Sequence, residues 1–249
     1  MRCFEYFLHL KEKNHLPKTI LLFPKTIFWI IVYAISKLLK AQPMKYVSFV
    51  SKKGGVAKST SAIHFAYWLT QEGYRVALID DDANRTALKW QARASDNPKF
   101  DPPFVVASFA KMAKAVAGVD YVILDTQASI SDDDLKDLAE DSDLVVIPTK
   151  VDVDSASAAI ETAKSIAANQ GVYRILLTDV LTSGKSGAEL AEDLKEEGYQ
   201  LLNASIRRGE GVRHASLAGA TLAQQPGNYR MPWLDYQKAF KEIHSLINS

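Results

Sequence analysis

The segment from Met44 to Glu72 constrains this chain more than any other. It joins an apolar, strand-like run, Met44–Ser51 (MKYVSFVS), to a helical pattern, Ser59–Glu72, through the loop Lys52-Lys53-Gly54-Gly55-Val56-Ala57-Lys58. Ile63, Ala66, Tyr67 and Leu69 recur at helical spacing, and Gly73 ends the pattern. A loop so placed opens onto a helix N-terminus, where unpaired amides and the positive end of the helix dipole favour anions. Gly54 and Gly55 allow the backbone to wrap closely around phosphate oxygens. Lys58 is then placed for the β and γ phosphates and the Ser59 hydroxyl, followed by Thr60, for Mg²⁺. The ordinary phosphate-loop pattern, G-x-x-x-x-G-K-[ST], is not met, because Lys52 and Ala57 stand at its glycine positions. The pattern present is K-G-G-x-x-K-[ST]. A left-handed Ala57 would cost roughly 1 kcal/mol, which a loop tolerates.

Two later strand-like runs end in carboxylates. Arg75–Asp80 (RVALID) leads into Asp80, Asp81 and Asp82, and Tyr121–Asp125 (YVILD) ends in a single Asp. Acids at the C-terminal ends of parallel strands face the ligand-binding edge of the sheet. A strand-terminal Asp in that position presents its carboxylate to Mg²⁺ through the metal's water shell. The Asp80–Asp82 segment also fits an acidic turn that caps a helix.

Further strand-like runs at Phe104–Ala107, Leu144–Pro148, Tyr173–Thr178 and Gln200–Ile206 alternate with helical patterns near Phe109–Val116, Asp132–Ala139, Ser155–Asn169 and Ser186–Glu197. This alternation predicts a doubly wound α/β domain with a mostly parallel sheet flanked by helices. Ser131 before Asp132, Asp133 and Asp134 reads as an N-cap with acids on the helix dipole, not as a metal site. Leu234–Asn248, with Tyr236, Phe240, Ile243 and Ile247 on one stripe, reads as a final helix docked on the core. No internal repeat or linker interrupts residues 44–249, which are read as one domain.

The lysine-rich cradle, followed by Asp80, Asp82 and Asp125, resembles the ParA/MinD family of P-loop ATPases, whose deviant phosphate loop carries a signature lysine, here Lys53. The resemblance implies ATP and Mg²⁺ as ligands, bound by Lys53, Gly54, Gly55, Val56, Ala57, Lys58, Ser59 and Thr60. It implies Asp80 and Asp125 near the metal with Ser59, and Asp82 orienting the attacking water, so that Lys53, Lys58 and Asp82 form the catalytic set. Lys53 would reach across an ATP-bound homodimer to the partner's phosphates. The segment after Asp80 departs from the family pattern, with Ala83 where proline is usual and Asn84 where glutamine is usual. In the family the loop after the last strand lies near the nucleotide base, which implies Arg207 and Arg208 there. Small members of the family bind DNA nonspecifically as dimers, are stimulated by a ParB-like or other adaptor, and segregate a plasmid, chromosome origin or protein compartment. The expected setting is cytoplasmic and nucleoid-associated. Alternatives are a membrane-surface switch of the MinD kind and a metabolic P-loop enzyme of the dethiobiotin-synthetase kind.

Composition narrows these classes. Hydrophobic residues make up 47% and charged residues 24% of the 249, ordinary for a globular domain with an ample core. Residues 1–43 carry seven Lys/Arg against two Asp/Glu, so the remainder holds 23 basic and 27 acidic residues. With that acidic balance, nucleic-acid binding requires a local patch. Arg207, Arg208 and Arg213 in the stretch Ile206–His214 are the candidates, against the alternative of a solvated charged loop. The single cysteine, Cys3, excludes a thiolate metal site and the iron–sulfur relatives. His64 is read as a packing residue.

Residues 1–43 do not fit the plan of the domain. Their most apolar run, Thr26–Ser36, is eleven residues long, whereas a bilayer span needs about 20. The leader is read as upstream sequence preceding a true start at Met44, with an interfacial amphipathic anchor as the rival. The chain is expected to lack a basic membrane-targeting tail, and no membrane partner is expected.

Overall fold

The computed structural model describes residues 43–128 and 130–249; the leader assigned to residues 1–43 lies almost wholly outside them. Strand β1 (Lys45–Phe49) leads through the cradle into helix α1 (Lys58–Gln71). The chain continues through β2 (Val76–Asp81), α2 (Thr86–Ser95), β3 (Val105–Ser108), the single-turn α3 (Met112–Ala115) and β4 (Tyr121–Thr126). Helix α4 (Asp132–Asp141), β5 (Leu144–Lys150), α5 (Val153–Ala168) and β6 (Tyr173–Thr178) follow, then α6 (Ser186–Glu196), α7 (Gly211–Leu217) and α8 (Met231–Ile247).

The six strands pair in parallel in the order β3-β2-β4-β1-β5-β6. The chain winds away from β1 in one direction through β2 and β3, then in the other through β5 and β6. This reversal leaves a crevice beyond the C-terminal end of β1, where open α/β sheets bind ligands. Because parallel strands are covered on both faces, their sequences read as nearly continuous apolar runs. Val47, Phe49, Leu78, Ile123 and Val146 pack under α1, α2 and α8, while Val145, Ile147, Ile175 and Leu177 pack under α4, α5 and α6.

Two expectations change. The run Gln200–Ile206 is not a strand: Leu201 makes an isolated bridge to Ile175 of β6, and Arg207, just after the run, makes another to Val180, beyond the end of β6. Between them Glu242 of α8 accepts the Asn203 backbone amide at 2.9 and 3.0 Å and its side-chain amide at 2.9 Å, diverting a donor that a ladder would use. Two helices also lie where none was read. Helix α2 buries Ala87, Trp90 and Ala94, and α7 takes up the end of the arginine-rich stretch. They meet at Gly219, whose φ is +57°; a Cβ there would sit 2.3 Å from the Ala94 backbone nitrogen. No described helix is long and apolar enough to cross a membrane.

Candidate nucleotide-binding site

The cradle takes its shape from two left-handed residues, Gly55 at φ +75° and Ala57 at φ +71°. The alanine therefore does carry the anticipated strain of roughly 1 kcal/mol. Thr178 of β6 pins the loop from behind, its hydroxyl donating to the Val56 carbonyl at 3.1 Å. Ser51 pins the front, its Oγ accepting the Lys53 amide at 3.1 Å.

The start of α1 differs from those of α4 and α5, although α2, α7 and α8 also begin without an N-cap side-chain bond or an acid in the first turn. Helix α4 is capped by Ser131, which accepts the Asp134 amide, and carries Asp132, Asp133 and Asp134 in its first turn, so that acidic cluster is a helix start. Helix α5 is capped by Asp152, which accepts the Ser155 amide. Helix α1 has neither a side-chain cap nor an acid in its first turn. Its opening amides and the positive end of its dipole are left for an anion.

Lys58 is the first residue of α1 and is 8% exposed. Burial lowers its pKa, while the charges of Asp125 and Asp82 pull the other way. Asp125, the penultimate residue of β4, is in register with Phe49 of β1 and Asp80 of β2, so both carboxylates stand at the C-terminal edge of the sheet. Asp125 is fully buried, and neither oxygen has a hydrogen-bond partner. Burial pushes its pKa up to about 7; the neighbouring Ser59 hydroxyl opposes this without reaching hydrogen-bond geometry. A buried carboxylate with no donor is costly, and a hydrated cation with Ser59 beside it would relieve that cost. The donor set therefore fits Mg²⁺.

Asp80 is also buried but satisfied. Its Oδ1 accepts the Asp82 amide at 3.0 Å, and its Oδ2 accepts the Leu88 amide at 2.8 Å, in the first turn of α2. The helix-capping reading of this turn is thus realised. Asp82 accepts the Thr86 hydroxyl at 2.9 Å and faces the cleft.

That cleft, of about 410 Å³, is lined by Gly54, Gly55 and Ala57–Thr60 of the cradle and also by Lys150, Asp179, Ile206, Arg207, Val212 and Tyr236. Its size suits a small ligand. Lys150 and Asp179 were not anticipated, although each sits at or just past a strand's C-terminal end, the signal that found Asp125. Tyr236 arrives from α8, and no local pattern marked it for the site.

The arginines are less available than the sequence suggested. Arg207 lines the cleft, but Asp235 of α8 holds its guanidinium at 2.5 and 2.7 Å. Arg208 is paired with Asp179 at 2.9 and 3.1 Å, and Arg213 with Glu210 at 3.3 Å. Lys53 stands at the cradle's outer lip, 44% exposed and 3.5 Å from Asp154.

A parallel α/β sheet with an uncapped, glycine- and lysine-rich helix start at its switch point, facing a buried unpartnered Asp, defines a nucleotide-binding P-loop protein. Residues 47–222 match the CobQ/CobB/MinD/ParA nucleotide binding domain, and the chain belongs to this ParA/MinD family. Protein virC1 of Rhizobium radiobacter is 33% identical over 124 residues, covering 45% of this chain and 53% of virC1. The chain thus matches about half the length of that relative. Among solved structures, a plasmid partition protein from Borrelia burgdorferi superposes with a TM-score of 0.58 at 18% identity, over 82% of this chain and 99% of that one. The septum site-determining protein MinD of Pyrococcus horikoshii, complexed with Mg-ADP, superposes at 0.61 and 16% identity, over 82% and 97%. At those identities the likeness is one of fold.

Proposed function

We propose that this protein is an ATP-dependent dimerising switch that binds DNA nonspecifically and positions or segregates a cargo such as a plasmid, chromosome origin or protein compartment. The observation that carries the reading is the cradle: an uncapped α1 start with Lys58 buried inside it and Lys53 at the outer lip, 44% exposed and not lining the cleft. A second lysine turned outward has no task in a self-contained enzyme. It suits contact with a partner protomer's phosphates.

In this reading Lys58 and the opening amides of α1 hold the β and γ phosphates, while Gly54, Gly55, Val56 and Ala57 shape the loop around them. Ser59 and Asp125 hold Mg²⁺, which supplies charge neutralisation when bound, with Thr60 beside Ser59 and Asp80 as the second carboxylate at the same edge. Asp82 orients a water whose oxygen attacks the γ-phosphorus as the β–γ bridging bond breaks, giving ADP and phosphate. Positioning and charge neutralisation provide most of the rate. Lys53 closes the homodimer, and an adaptor protein speeds hydrolysis and resets it.

Arg207 and Arg208 are each held by two short contacts to an acid. The DNA-facing surface is therefore assigned to Arg213 on α7, which is 70% exposed and makes a single, longer contact of 3.3 Å to Glu210, together with exposed Arg85 and Lys89 at α2. Arg93 clips these helices together, its Nε donating to the Ser216 carbonyl at 2.8 Å. Phosphate contacts of this kind give binding that falls steeply with salt and varies little with sequence. A nucleoid-associated cytoplasmic location follows from it.

Co-sedimentation of the full chain with DNA or with liposomes, each with ATP and with ADP at low salt, tests the proposal. DNA binding that requires ATP is the expected result. Liposome binding without DNA binding would replace it with a membrane-surface switch, and neither, with turnover of a small-molecule co-substrate, would indicate a metabolic enzyme.

A further inference from the structure

The two adjacent lysines of the cradle are held very differently, although both reach toward α5. Lys52 Nζ donates to Asp132 Oδ1 of α4 at 2.8 Å and to Glu161 Oε1 of α5 at 2.7 Å, and only 18% of its side chain is exposed. Those two hydrogen bonds raise its pKa. Lys53 makes one longer contact, 3.5 Å, to Asp154 at the start of α5. Asp154 and Glu161 are seven residues apart, about 10 Å along one stripe of the helix. The lysines therefore diverge along α5, Lys53 at its cleft end and Lys52 two turns further on.

We infer that Lys52 is a positioning residue: its two-carboxylate tether fixes the cradle's outer arm so that Lys53 projects toward a second protomer. This rests on the dimer-switch reading above. Lys52 does not line the cleft, so it does not act on the nucleotide directly. Its effect on Lys53 comes through the backbone they share. The arm is short, and Ser51 Oγ holds the Lys53 amide at 3.1 Å. With the Lys52 side chain tied to two carboxylates and the Lys53 amide held, the Lys53 side chain is the freer part of the arm. An interaction made by a preorganised group costs less ordering than one made by a flexible loop. The residue type at position 52 also acquires a reason. A glycine there, as in the ordinary phosphate loop, would leave the arm untied and Asp132 and Glu161 without their shared cation.

The test separates cradle from dimer. ADP affinity, measured by titration calorimetry, reports the cradle alone, and the concentration for half-maximal dimerisation in Mg·ATP, measured by sedimentation, reports Lys53. Lys52→Gln is expected to keep ADP affinity within about twofold and to raise the dimerisation midpoint by about tenfold, while Lys52→Arg stays near the unmutated value. Asp132→Asn with Glu161→Gln should match Lys52→Gln, and combining all three should add nothing further. Dimerisation of Lys52→Gln at the unmutated concentration overturns the inference. So does an equal loss of ADP affinity, which would make Lys52 part of the cradle's own structure. If the unmutated chain does not dimerise in Mg·ATP, the dimer-switch reading fails first, and that outcome is distinct from either.

Discussion

Asp125 and His64 are both ionisable, both buried and both close to the phosphate cradle, yet the fold treats them in opposite ways. His64 lies in α1, 4% exposed. Its Nδ1 donates to the Thr60 carbonyl at 2.6 Å, and its Nε2 accepts the Leu222 amide at 2.9 Å. Its ring stacks on Tyr236 with centroids 5.4 Å apart. Asp125 is more deeply buried and has no hydrogen-bond partner at either oxygen. The contrast separates architecture from site. A buried polar group whose capacity is spent holds the structure together, whereas one left unspent marks where a ligand belongs.

The largest effect that bears on this contrast is expected from Lys58→Ala. It removes the one buried cation facing Asp125 and the phosphate position, and charge-assisted bonds of this type contribute about 2–3 kcal/mol. Titration with ATP should show affinity lowered by about 100-fold. A change below about threefold would detach Lys58 from the nucleotide.

Asp125→Asn should act in two directions. Removing an unpaired buried carboxylate is expected to stabilise the nucleotide-free protein at pH 8, by on the order of 2 kcal/mol in urea unfolding, while Mg²⁺-dependent ATP turnover is lost. Destabilisation of the nucleotide-free form would mean that Asp125 has structural partners after all.

His64 should show the reverse sign. Burial lowers its pKa to about 4 from an ordinary value near 6.5. The unfolded chain therefore takes up the proton first, so stability present above about pH 6.5 is lost as pH falls toward 4. The shift corresponds to about 3 kcal/mol. Urea unfolding from pH 7 to pH 4.5 should show this slope in the unmutated chain and a flatter one in His64→Gln. Equal slopes would sink the account of a neutral, structural His64.

The smallest effect is expected from Tyr236→Phe. The Tyr236 hydroxyl meets Ser61 Oγ at 3.0 Å in a buried site, so its loss should cost about 1 kcal/mol of stability with little change in nucleotide affinity. A large loss of ATP binding would instead place the hydroxyl in the cleft's chemistry.

The legibility of the molecule in its sequence follows the range of its interactions. The cradle, the α1 start and the carboxylates of β2 and β4 were readable because each is specified within a few consecutive residues. The ion pairs that hold Arg207 and Arg208 were not readable because their partners are distant: Asp235 lies 28 residues beyond Arg207, and Asp179 lies 29 before Arg208. No local pattern encodes such pairing. The broken seventh strand has the same cause, since Glu242 on α8 takes the Asn203 amide. Helix α2 was concealed differently. Its cap is Asp80, supplied from the strand before it, and Arg85 at its N-cap position gives no side-chain cap. The spacing of Ala87, Trp90 and Ala94 nonetheless carried a helical signal.

The central claim is that Lys53 acts on a second protomer while Lys58 acts on its own nucleotide. Sedimentation of the full chain in Mg·ATP and in Mg·ADP, with Lys53→Ala in parallel, tests it most directly. The account predicts a dimer in ATP, a monomer in ADP, and a Lys53→Ala protein that binds ATP but stays monomeric. Lys53→Ala forming the ATP dimer as readily as the unmutated chain would contradict it.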